Sequence, residues 1–117
     1  MALVPVSIGE LIDKITILEI KTEKIKNPEA LVNIQKELDM LRAIPTKHVD
    51  SEPLRQVNLE LWEVEDTLRE CEKEKDFGTN FVTLARSVYL LNDKRARIKR
   101  AINIFMNSDI VEEKSYK

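Results

Sequence analysis

The chain is poor in the residues that build redox, metal or nucleophilic centres. It carries one cysteine, Cys71, and one histidine, His48. A single cysteine can neither close an internal disulfide nor form a cysteine-cluster metal site. A lone histidine leaves zinc chemistry without its ligands, so no metal and no cofactor is expected. With only two glycines there is no Gly-rich phosphate loop. No stretch approaches the roughly 20 apolar residues that cross a bilayer, so no membrane association is expected. The opening residues, MALVPVS, lack the basic flank and apolar run of a secretory signal, which points to the cytoplasm. Charge of one sign is missing too: 19 Lys and Arg face 21 Asp and Glu, for a net charge of −2. Long-range attraction to nucleic acid is therefore not a property of the whole molecule.

What is present is helical material. The 117 residues suffice for one domain, and few aromatics beside many Leu, Ile, Glu and Lys favour helices. Ser7 and Glu10 have the spacing of a capping box. Ile8, Leu11, Ile12, Ile15, Leu18 and Ile25 follow on one helical stripe. Ile17 and Ile20 lie on the opposite side with Asp13 and Thr16. Two apolar faces imply a helix sandwiched between neighbours or one that meets a partner chain. Asp13, Thr16, Ile17 and Ile20 are accordingly a candidate interaction face, with Asp13 either its polar anchor or a solvated charge at the edge of a core helix.

Asn27-Pro28 stops one helix and starts the next. That second helix should run to about Ala43 and bury Leu31, Ile34, Leu38 and Leu41. After the loop IPTKHVDSEP, capped by Asp50 or Ser51, Leu54, Leu61 and Leu68 alternate with Val57, Val64 and Cys71 in a seven-residue repeat. EKDFGTN interrupts it. Phe81, Leu84, Val88, Leu91, Ile98, Ile102 and Phe105 resume the spacing on a long fourth helix. The pattern predicts an all-α antiparallel bundle of four helices with a long C-terminal helical hairpin. It forms a single domain over residues 1–117, with 108–117 an extended or mobile tail.

Function is sought where the pattern is violated. Arg95 stands at a seam position between Leu91 and Ile98, with Asn92 one turn earlier. A hairpin turning near Gly78 would set Arg95 opposite Leu61, Trp62 and Glu65, while Asn58 and Glu65 intrude on the apolar side of the third helix. Asn58, Trp62, Glu65, Asn92 and Arg95 thus form a candidate polar cluster. One reading is a partly buried Arg95–Glu65 pair, with Arg95 stacked on Trp62, that fixes helix register. The other is a small pocket that recognises an anion, with Arg95 as its fork. Glu19 with Glu23, and Glu63 with Asp66, have spacings that could share a divalent metal, although 21 acidic residues produce such pairs by chance and salt-bridged surface acids are the default. The basic run of Lys94, Arg95, Arg97, Lys99 and Arg100 spreads around the helix without interleaved aromatics, so nucleic-acid binding is not expected.

The blocks PVSIGELIDKITILEIK, LELWEVED, FVTLARSVYLLNDKRARIK and EEKSY, taken in order, resemble an uncharacterised family of short helical proteins. That family, a domain of unknown function, occurs in bacteria and phages, marine cyanophages among them. The resemblance implies a single-domain cytoplasmic protein (host cytoplasm if phage-encoded), sometimes encoded near sugar-transfer genes, and supplies no catalytic residues. Its blocks include Asp13, Trp62, Glu65, Asn92, Arg95 and the tail residues Glu112, Glu113, Lys114 and Tyr116. A tail within the family pattern is expected to dock, with Glu112 or Glu113 against Arg95 or nearby lysines. The leading functional expectation is a non-enzymatic protein-interaction module, self-associating or bound to a protein partner. Its rival is a small protein or enzyme that binds an anionic metabolite, such as a nucleotide or nucleotide-sugar, around Arg95.

Overall fold

Every apolar stripe in the sequence becomes a helix. The computed structural model describes residues 1–108 and 110–115. Among them the chain forms four helices and no strand: α1 (Ile8–Lys24), α2 (Pro28–Arg42), α3 (Glu52–Glu74) and α4 (Thr79–Phe105). Asn27 caps α2 by accepting from the Ala30 N–H at 3.0 Å, and Pro28 opens it. Of the two residues expected to cap α3, Asp50 does so, accepting from the Glu52 N–H at 3.1 Å, whereas the Ser51 side chain makes no cap bond. Lys75, in the left-handed region at φ 56°, ends α3. Asp76 ties the short link by accepting from the Gly78 N–H at 3.2 Å.

The centre of the architecture is α1, which packs against α2, α3 and α4, while α2 touches no other helix among the described residues. Ile12 of α1 meets Leu54 and Val57 of α3 and Ile102 of α4 in the core, with Ile8, Val49, Leu91, Ile98 and Met106 around them. The sandwiched alternative for α1 therefore describes the chain's own packing. Because α2 has a single neighbour, only Leu38 of its four apolar stripe residues is buried; Leu31, Ile34 and Leu41 are half-buried. The seam of α4 also departs from expectation at its end. Met106 takes the inner position and Phe105 is 82% exposed, because a 3.6-residue helix drifts away from a seven-residue repeat.

The start of α1 and the end of α4 are joined to each other. Its first-turn amides need acceptors, and side chains supply three. Ser7 Oγ accepts from the Glu10 N–H at 3.1 Å, Asn103 Oδ1 from the Gly9 N–H at 2.6 Å, and Ser108 Oγ from the Ile8 N–H at 3.3 Å. Only half of the expected capping box forms, because the Glu10 carboxylate turns instead to Lys99 and Lys14. Gly9 makes this approach possible: a Cβ there would lie 2.5 Å from the Lys99 carbonyl oxygen and 2.9 Å from Asn103 Oδ1.

Glycine to alanine ordinarily stabilises a helix by up to about 1 kcal/mol. At Gly9 the backbone of α4 must move, so Gly9→Ala should instead destabilise the protein by about 1–3 kcal/mol in urea unfolding. An unchanged or higher midpoint would contradict this packing.

Candidate functional site

Among the described residues the most deeply buried charge is Asp13, whose side chain is fully enclosed. A buried carboxylate must be paired and hydrogen-bonded, and two neighbouring helices see to it. From α4, Arg95 grips it with two donors, Nε to Oδ1 at 2.9 Å and Nη2 to Oδ2. From α3, Asn58 Nδ2 donates to Asp13 Oδ1 at 2.9 Å and to Thr16 Oγ1 at the same distance. Thr16 in turn donates to the Asp13 carbonyl at 2.8 Å. One turn along α4, Lys99 is buried and donates to Glu10 at 2.6 Å and to Glu112 of the tail at 2.9 Å, with Asp13 Oδ2 at 4.0 Å.

These contacts set the protonation states. Hydrogen bonding to Asp13 holds the Arg95 guanidinium above its ordinary pKa against the opposing effect of burial. For Lys99, burial favours the neutral amine, but hydrogen bonds to Glu10 and Glu112 outweigh it and raise the pKa. The Lys99 hydrogen bond holds the Glu112 carboxyl below its usual range, so the tail contact is ionic at neutral pH.

Beside the network lies a pocket of about 170 Å³ lined by Asn92, Arg95, Ala96, Lys99, Glu112 and Lys114. Arg95 is 28% exposed there, and its Nη1 reaches only a long contact with Asn92 Oδ1 at 3.4 Å. The arrangement presents a guanidinium fixed along one side by a buried carboxylate, with further donor capacity beside open space. It can hold an anion.

The candidate cluster is thus partly assembled. Asn58, Asn92 and Arg95 come together; Trp62 is half-buried on α3, Glu65 is exposed, and neither bonds to Arg95. The expected Arg95–Glu65 pair is replaced by Arg95–Asp13, because α1 packs on both α3 and α4 and brings its own carboxylate to the guanidinium. The candidate interaction face is corrected as well. Asp13, Thr16 and Ile20 are 0%, 0% and 1% exposed and Ile17 is half-buried, so this face is covered by the chain itself. Asp13 is likewise no solvated edge charge. Lys99, Glu10 and Asn103 stand outside the candidate cluster, although Arg95, Lys99 and Asn103 share one helical face at successive four-residue steps.

The other singled-out groups have ordinary partners. Glu19 binds Arg42 at 2.7 Å and Arg55 at 3.4 Å, and Glu23 binds Arg55, which ties α1 to α2 and α3. Glu63 is exposed, and Asp66 pairs at the surface with Arg69 at 3.6 Å. Cys71 is buried in the apolar repeat. Within the basic run, Lys94 and Arg97 are exposed and Arg100 pairs with Glu113 at 2.9 Å. Of the proposed tail, Asp109, Tyr116 and Lys117 lie outside the described residues. A separate apolar groove of about 600 Å³ runs between the N-terminal segment and α2, past Leu3, Val4, Leu11, Met40 and Ile44. No described helix is long and apolar enough to cross a membrane.

Comparison with curated proteins and with solved structures returns no match. A family model does match, over residues 2–117, nearly the whole chain. The protein accordingly belongs to DUF6165, a family of unknown function.

Proposed function

We propose that this protein binds a small anionic group in the pocket beside Arg95. One observation carries the reading: the buried Asp13 carboxylate fixes Arg95 through Nε and Nη2, leaving Nη1 weakly engaged at the pocket. A guanidinium already ordered by the fold loses little side-chain entropy when an anion arrives. Lys99, paired with Glu10 and Glu112, and the exposed Lys114 are the other cations of the lining, Glu112 is its one carboxylate among the described residues, and Asn92 adds a polar group. At about 170 Å³ the pocket is smaller than the roughly 300–1,000 Å³ of sites that enclose drug-sized ligands. It suits an anionic head group, with the rest of any nucleotide or other metabolite outside.

Titration with acetate or inorganic phosphate should shift the Arg95 Nε–H resonance saturably, with Kd in the millimolar range, about −4 kcal/mol at 1 mM. Lys114→Ala, an exposed position, should weaken binding by about two- to fivefold, the worth of one surface charge, with helicity unchanged. No saturable shift with either anion would overturn the reading.

Self-association is a second reading, favoured by the apolar groove. Leu3 and Val4 are 85% and 73% exposed beside it, with Met40 and Ile44 on its other side, and an exposed apolar patch marks an interaction surface. Lys14, Lys36 and Glu37 rim the groove. Both signs in one patch permit the self-complementary contact of a twofold dimer, so the proposed occupant is a second copy. Sedimentation equilibrium should then show mass rising with concentration, and Leu3→Asp with Ile44→Asp should abolish the rise. A single monomer mass at every concentration would contradict it.

A further inference from the structure

The tail supplies one wall of the anion pocket, and it does so by charge more than by packing. The chain turns back at Asn107, in the left-handed region at φ 52°. The segment then places Glu112 on Lys99 and Glu113 on Arg100, thirteen residues earlier in each case. Its apolar anchorage is slight, with Ile110 41% exposed and Val111 half-buried.

The electrostatic balance singles out Glu112. Within the bundle, Arg95 is matched by Asp13 and Lys99 by Glu10. Glu112 is an additional carboxylate, brought by the tail together with Lys114, and its side chain remains 45% exposed. Removing it would leave Lys99 bonded to Glu10 and near Asp13 but would free one ammonium donor toward the pocket.

We infer that the Glu112 carboxylate, which walls the pocket and holds Lys99, competes with the ligand for that ammonium, and that the group the pocket takes is a carboxylate exchanging with it. The inference rests on the anion-binding reading above. A carboxylate that replaces Glu112 restores the same charge and the same hydrogen bond to Lys99. A phosphate dianion would add a second negative charge to a cluster that already holds Asp13 and Glu10, where like charges repel. The source of the carboxylate can be a free acid or an acidic side chain or chain terminus of another protein, and the shared chemistry is the same.

The test compares the full chain with Glu112→Ala at pH 8 and constant ionic strength. Acetate and inorganic phosphate are titrated in turn, and the Arg95 Nε–H resonance is followed. Glu112 lies in the partly exposed tail, and circular dichroism checks that the variant keeps its helices. Acetate should bind Glu112→Ala at least about tenfold more tightly than it binds the unaltered chain, and more tightly than phosphate does. Equal acetate affinity for the two chains would overturn the inference, since Glu112 would not compete with the ligand. A preference for phosphate would overturn the carboxylate class while leaving an anion pocket in place. Failure of both anions to bind either chain would remove the pocket reading itself.

A second titration of Glu112→Ala separates the two sources. It uses a synthetic peptide of residues 110–115, whose acidic side chains carry the carboxylate, against acetate. Tighter binding of the peptide identifies a protein-borne carboxylate, and tighter binding of acetate a free acid. Binding of neither overturns the inference.

Discussion

The Asp13 carboxylate, fully enclosed where α1, α3 and α4 meet, is the constraint on which the rest depends. An unpaired charge at that depth costs about 3–5 kcal/mol, so Asp13 cannot be buried until Arg95 and Asn58 are in place. Those two donors lie 82 and 45 residues away in the sequence. Pairing them with one carboxylate fixes how α3 and α4 sit on α1. The apolar core alone tolerates sliding, since leucine and isoleucine contacts are non-directional. The ion pair does not.

The same logic extends along α4. Arg95, Lys99 and Asn103 occupy successive turns, and each meets α1: Asp13, Glu10 and the Gly9 N–H. Gly9 permits the close approach at the end of this row, where a side chain would strike the α4 backbone. Beyond it the tail folds back to cover Lys99. Structure and proposed binding thus share their parts: the pairing that orders the helices also presents a fixed guanidinium to the pocket.

Much of the fold is legible in the sequence, because stripes, caps and Asn27-Pro28 act locally. All four helices follow from them. The partners of the misplaced polar residues are less legible. Arg95 stands out because it interrupts a seam, but Asp13 could be read as a surface charge or an interface anchor; nothing in α1 alone says which side α4 covers. Glu65 is the partner that a hairpin turning near Gly78 suggests, and a register worked out for α3 and α4 alone leaves out α1, which packs on both and brings Asp13 to Arg95. Lys99 was missed because a lysine among five basic residues resembles solvated surface, although its four-residue offset from Arg95 was available. The docking of Glu112 and Glu113 onto Lys99 and Arg100 follows an expectation that came from the family resemblance, since the tail has no periodicity of its own.

The central claim is that Arg95 belongs to Asp13. A double-mutant cycle with Asp13→Asn and Arg95→Met, set beside one with Glu65→Gln and Arg95→Met, measures it directly by chemical denaturation. The account predicts a coupling of about 2–3 kcal/mol for Asp13 with Arg95, and one within about 0.5 kcal/mol of zero for Glu65 with Arg95. Strong coupling to Glu65, or none to Asp13, would contradict it.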